Sequence, residues 1–110
     1  MPRFITFFSY TGEAAKAMID RPQDRSGAVK AVVESLGGTI EGFYWMQGKH
    51  DGFVLSNLPD AVNASAVAVA VAASGAVAGL ETHQIFDEGE QATLVERAAT
   101  ARKAYRPPTG

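Results

Sequence analysis

The residues best suited to chemistry lie at two places in the sequence. His50 and Asp51 are adjacent, and Glu81 and His83 stand two residues apart. Histidine titrates near neutral pH and can act as a general base, a proton shuttle or a metal ligand. A neighbouring carboxylate can take a proton or orient the imidazole. His50, Asp51 and His83 are therefore the candidate catalytic residues.

Each of these residues also has a purely structural interpretation. Asp51 is a common turn residue whose carboxylate can accept backbone N–H bonds, and a histidine in a turn is usually solvated. Glu81 and His83 share one face of a strand, where they could pair with a neighbouring strand or subunit. Two such ligands fall short of the three that a catalytic zinc typically has, so no metal site is assigned.

Aromatic residues with polar tips form a second candidate set. Tyr10, Tyr44 and Trp45 can line a pocket for an apolar or aromatic compound, with the phenol and indole groups orienting it. Glu81 joins them as a ligand-binding candidate. The alternative is that these aromatic side chains belong to the core or to a dimer interface. The identity of any cofactor stays open.

Composition excludes several classes of partner. The 110 residues carry 10 basic and 12 acidic side chains, which gives a net charge of −2 and no basic field for nucleic acid or an anionic membrane. There is no cysteine, so disulfides and thiolate chemistry are excluded. The glycines form no phosphate-binding fingerprint. Residues 61–80 lack formal charge but are rich in alanine and polar residues, so we expect a soluble, cytoplasmic protein and no membrane span.

Hydrophobic periodicity and turn residues predict the elements that position these candidates. The run Ala66–Val71 alternates like a strand, yet the N-cap Asp60 and the alanine content favour a helix. Beyond the last strand, Asp87 and Glu90 predict a capping box for a C-terminal helix over about 88–105, followed by a loose tail at 106–110. The other predicted elements are strands over 3–9, 39–47, 51–58 and 77–86 and helices over 13–19 and from about 23 to 36.

This order of elements predicts one α+β domain over residues 1–110, with a core at about 3–86. The β-α-β-β-α-β succession is that of a ferredoxin-like subunit, here with an extra C-terminal helix. Its helices cover one side of the sheet only. Several strands are nevertheless apolar on both sides, Phe4 to Phe8 most clearly, so the other side needs a cover. We expect the partner to be a second copy of the chain, sheet against sheet.

Five short motifs carry a resemblance to known proteins: Leu36-Gly37-Gly38, Phe43-Tyr44, Gly48-Lys49-His50-Asp51, Leu58-Pro59-Asp60 and Glu81-Thr82. In these motifs the chain resembles the GYD-domain family of small bacterial proteins. At the hairpin signature the chain keeps Gly48 and Asp51 and has His50 where the family usually has tyrosine. The resemblance implies a dimeric α/β barrel. It implies no particular activity.

Three hypotheses about function follow. The preferred one is a non-enzymatic, homo-oligomeric module that binds a small apolar or aromatic molecule or serves in assembly. The second is a small dimeric-barrel enzyme, of the cofactor-independent oxygenase type, acting on an aromatic or polyketide-like compound. The third is haem or metal binding through His83 or His50.

Overall fold

The computed structural model describes residues 1–110 and contains four strands and four helices. All predicted elements are present, with boundaries that differ by a few residues. In chain order they are β1 (Arg3–Tyr10), α1 (Gly12–Asp20), α2 (Arg25–Ser35), β2 (Thr39–Trp45), β3 (Gly52–Asn57), α3 (Ala61–Ala73), β4 (Val77–Ile85) and α4 (Glu88–Ala104).

The alternating segment Ala66–Val71 is helical, because local capping overrides its period of two. Asp60 starts α3 by accepting a hydrogen bond from the backbone N–H of Asn63 at 2.8 Å. This satisfies one of the donors that a helix leaves free at its N-terminus. With 13 residues, α3 is short, and no helix of the structure is long and apolar enough to cross a membrane.

The four strands form one antiparallel sheet in the order β2-β3-β1-β4. The two strands that are adjacent at the centre, β1 and β3, are separated in sequence by two helices and β2. This strand order, with all neighbours antiparallel, confirms the ferredoxin-like arrangement. The covering helices lie on one side of the sheet, which we call the covered face.

The hydrophobic core lies between the covered face and helices α2 and α3. Phe4, Val33, Leu58 and Ala64 form its buried centre. Gly38, just after α2, is buried there too, and a Cβ at this position would collide with the carbonyl of Asn57. Close approach of the α2–β2 junction to β3 therefore requires glycine at residue 38.

The opposite side of the sheet, which we call the open face, has no helix over it. Alternate strand residues point to it, because successive side chains in a strand lie on opposite sides. In β3 the burial pattern follows this alternation, with Val54 and Ser56 buried and Phe53 and Leu55 only half-buried. The apolar residues of the open face are Ile5, Phe7, Tyr44, Phe53 and Leu55.

The C-terminal helix α4 extends away from this body. Its capping box forms as predicted, since Asp87 and Glu90 each accept a hydrogen bond from the other's backbone N–H. Every residue from Phe86 onward is exposed, and the molecule measures 61 × 32 × 23 Å. A 17-residue helix is about 25 Å long, which accounts for much of the long dimension.

Candidate functional site

Asp51 ties the β2–β3 hairpin to the end of β1. Its Oδ2 accepts a hydrogen bond from the backbone N–H of Tyr10 at 2.8 Å, and its own N–H donates to the carbonyl of Phe8 at 2.8 Å. The carboxylate therefore satisfies a backbone group of a strand 41 residues away in sequence rather than of its own turn. This geometry gives Asp51 a structural role at the end of the sheet.

His50 lies at the same end, on the open face. Its ring packs on Phe7 with a centroid distance of 5.4 Å, and its Nδ1 is 3.3 Å from the hydroxyl of Ser9. These two contacts fix the ring against β1. The imidazole is thus a partly buried group with a polar partner, which the turn position alone did not predict.

Glu81 and His83 also lie on the open face, as their two-residue spacing predicts. Glu81 stands opposite Phe7 in the register of β1 and β4, and His83 stands opposite Ile5. Glu81 Oε2 is 3.1 Å from His83 Nε2, and both side chains are about half exposed, at 52% and 57%. The hydrogen bond from His83, helped by the nearby charges of His50 and Lys49, lowers the pKa of Glu81.

The structure thus brings three of the predicted polar residues to one side of the sheet. We call His50, Glu81 and His83 the open-face cluster. Tyr44, 53% exposed, is on the same face and packs on Phe53 with a centroid distance of 5.3 Å. The three side chains of the cluster share a face but are not grouped closely enough to hold a metal ion, and no other such group of histidine, aspartate or glutamate occurs in the structure. Imidazole and carboxylate groups are the types of side chain that transfer protons in proteins.

Tyr10 and Trp45 lie on the covered side, apart from the open-face cluster. Their rings are 5.6 Å apart, and both pack on Phe8. Gly52 allows this packing, because a Cβ there would collide with the Phe8 ring and the carbonyl of Tyr44. The aromatic residues predicted to bind one ligand are therefore divided between two faces of the sheet.

A second polar group on the open face was not predicted from the sequence. Arg3 Nη2 donates to Glu41 Oε2 at 2.7 Å, and Asn57 Nδ2 donates to Glu41 Oε1 at 2.9 Å. The guanidinium of Arg3 lowers the pKa of Glu41. The three residues come from three strands, so only the strand order could have revealed the group. It lies at the opposite end of the sheet from His50.

The hairpin geometry gives the family signature a physical meaning. Gly48 has a φ of +122°, which favours glycine, and Asp51 anchors the end of β1. The model of the GYD domain family matches residues 4–95 of the chain. The chain belongs to the GYD domain family. In this GYD domain, the signature residues shape and fasten the hairpin. A comparison with curated proteins finds no match.

Proposed function

We propose that this GYD domain is a non-enzymatic homo-oligomeric module whose open face pairs with that of a second copy. One observation carries the proposal: the open face presents a continuous apolar surface that nothing in the chain covers. Ile5, Phe7 and Leu55 lie side by side on the two central strands, with Phe53 and Tyr44 beside them. Burying such a surface is the main source of stability in homodimers.

The distribution of polar groups on this face supports the same proposal. Glu81 and His83 of the open-face cluster flank the apolar centre along β4, and the Arg3–Glu41–Asn57 group lies at one end of it. An apolar centre with a polar rim is the usual anatomy of a specific protein interface. Polar rims also set the register of two copies, because mismatched charges are costly.

A small apolar or aromatic molecule is the ligand we propose for the space between two such sheets. Tyr44 and the open-face cluster would supply hydrogen bonds to its polar groups, and Phe7 and Phe53 would contact its rings. Native mass spectrometry of protein purified without added ligand tests both parts. Masses of a dimer would support pairing, and excess mass retained on a dimer would support a ligand in the space between the two sheets.

Leu55→Lys tests the assembly directly. A lysine at the centre of the open face would have to be buried without a partner charge, so we expect the dimer dissociation constant to rise roughly a hundredfold. Ile19→Lys is the matched control, because Ile19 is 78% exposed on α1 and away from the open face. Sedimentation equilibrium of the three proteins gives the comparison. A monomeric wild-type protein, or equal effects of both substitutions, would contradict the pairing.

An enzyme acting on an aromatic or polyketide-like compound is the second candidate, favoured by the 3.1 Å Glu81–His83 contact beside aromatic side chains. In that case His83 or His50 would take a proton from the substrate. Oxygen uptake with an electron-rich polycyclic phenol tests this function. His83→Ala should abolish the uptake, whereas Gln84→Ala, whose side chain is on the other side of β4, should preserve it. No uptake by the wild-type protein leaves the binding module as the better account.

A further inference from the structure

A cleft opens on the covered side of the sheet, between helices α2 and α3. It consists of two adjoining hollows of about 180 Å³ and about 320 Å³. The smaller one lies between the two helices, and the larger one forms its mouth beside α1. The hollows share four lining residues, which are Tyr10, Arg25, Ser74 and Ala76.

The inner hollow is apolar apart from its mouth. Val29 and Val32 line it from α2, and Val71 lines it from α3. The small side chains of α3, which has no charged residue, leave the space between the two helices unfilled. A closed apolar cavity of about 150 Å³ holds one benzene ring. The inner hollow is open to solvent on one side, and its volume of about 180 Å³ has room for a single aromatic ring.

Arg25 places an unpaired positive charge at the mouth of this hollow. Its Nη1 donates to Gln23 Oε1 at 2.9 Å, and the four ion pairs of the structure all involve other residues. A guanidinium has five N–H donors, so most of them remain free for a ligand. Arg25 is also only partly exposed, which strengthens its attraction for an anion.

Tyr10 provides a second polar group at the same mouth. Its ring is held by Phe8 and Trp45, and its hydroxyl makes none of the hydrogen bonds within the protein. The hydroxyl of Ser74, in contrast, already donates to the carbonyl of Val71 at 2.6 Å. Glu13 lines the outer hollow only, so the inner hollow has Arg25 as its one charged lining residue.

We propose that the α2–α3 cleft binds a small aromatic monocarboxylate, with the ring between Val32 and Val71 and the carboxylate on Arg25 and Tyr10. Arginine suits this ligand because its planar fork matches a carboxylate bidentately. The cleft and the proposed pairing surface lie on opposite sides of the sheet. The site is therefore independent of whether two copies pair.

Isothermal titration with phenylacetate and with its neutral analogue phenylacetamide tests the charge requirement. We expect the wild-type protein to bind phenylacetate at least about tenfold more tightly than phenylacetamide, because only the anion can form charge-assisted hydrogen bonds with Arg25. Arg25→Gln should remove this preference. Lys30→Gln is the matched control, since it makes the same charge change on α2 at a residue that does not line the cleft.

A second variant tests the location of the ring. Ala70 lines the inner hollow, so Ala70→Phe should fill it and abolish binding of both compounds, while circular dichroism shows that the helices persist. Equal affinity for phenylacetate and phenylacetamide, no phenylacetate binding at 10 mM (roughly the limit for weak millimolar ligands), or unchanged binding by Ala70→Phe would each overturn the proposal. Glu13→Gln should tighten phenylacetate binding modestly, since it removes the one acidic side chain that lines the outer hollow.

Discussion

The two faces of the sheet carry similar apolar residues but bury them to different extents. Strand β1 supplies Phe4 and Phe8 to the covered face, where they are 2% and 5% exposed. The same strand supplies Ile5 and Phe7 to the open face, where both stay half-buried. Burial therefore depends on what the rest of the chain places over a residue, not on the residue itself. Helices of the chain lie over one face, and no element of the chain lies over the other.

The largest expected difference between the faces is in the stability of the isolated subunit. Phe4→Ala should lower the free energy of unfolding by about 3–5 kcal/mol, because it empties a site at the centre of the core. Phe7→Ala removes the same atoms from the open face, where the ring is already half in water. We expect that substitution to cost less than about 1.5 kcal/mol in the monomer. Urea denaturation at low protein concentration measures both values.

Repeating these denaturation measurements at several protein concentrations separates the two faces further. If the open face pairs with a second copy, the cost of Phe7→Ala should grow as the protein concentration rises, because only the dimer buries Phe7. The cost of Phe4→Ala should not change with concentration. Equal costs for the two substitutions at low concentration would show that the two faces are equally buried in the subunit, which contradicts the comparison.

Most of the fold was predictable because its signals are local. Alternation in β1 and β3, the stripe of Val29, Val33 and Leu36 in α2, and the acidic N-caps all act within a few residues. The helix at Ala66–Val71 shows the strength of such signals, since its cap outweighs its alternating pattern. The complete exposure of α4 has no local signal, because it depends on what lies near the helix in space.

The candidate sites were predictable only in part, for the same reason. The spacing of Glu81 and His83 places them on one side of β4, but the sequence does not say which side the helices cover. The hydrogen bond between Asp51 and the end of β1 joins residues 41 positions apart. Arg25 was missed altogether, because its cleft is assembled from β1, α1, α2 and α3 and has no motif in the sequence.

The hydrogen bond between Asp51 and Tyr10, at the end of the sheet, can be tested by substitution. Without its carboxylate, the exposed N–H of Tyr10 would be left to water, so Asp51→Ala should destabilise the subunit by about 0.5–1.5 kcal/mol. Asp51→Asn keeps an oxygen at the same place and should recover most of this loss. Thermal denaturation compares the three proteins. Full stability of Asp51→Ala would show that the contact is dispensable and that the residue is free for a chemical role.

The smallest expected effect is on how stability depends on pH, through the carboxylate of Glu81 on the open face. The hydrogen bond from His83 lowers the pKa of Glu81 from its ordinary value of 4.5. A carboxylate with a lowered folded pKa stabilises the folded state above its unfolded pKa, and that contribution is lost as the pH falls through the folded pKa. Acidification from pH 5 toward pH 3 (roughly the range around an ordinary glutamate) should therefore weaken the fold slightly.

His83→Ala isolates this effect from the other acidic groups. Without the imidazole, the pKa of Glu81 should rise toward 4.5, as a carboxyl-carbon NMR titration would show. Glu41 serves as the internal control, because its pKa is lowered by Arg3 at the other end of the sheet and should not move. An unchanged pKa of Glu81 would mean that the 3.1 Å contact does not persist in solution. The open-face cluster would then consist of independent solvated groups, and the proton-transfer alternative would lose its geometric basis.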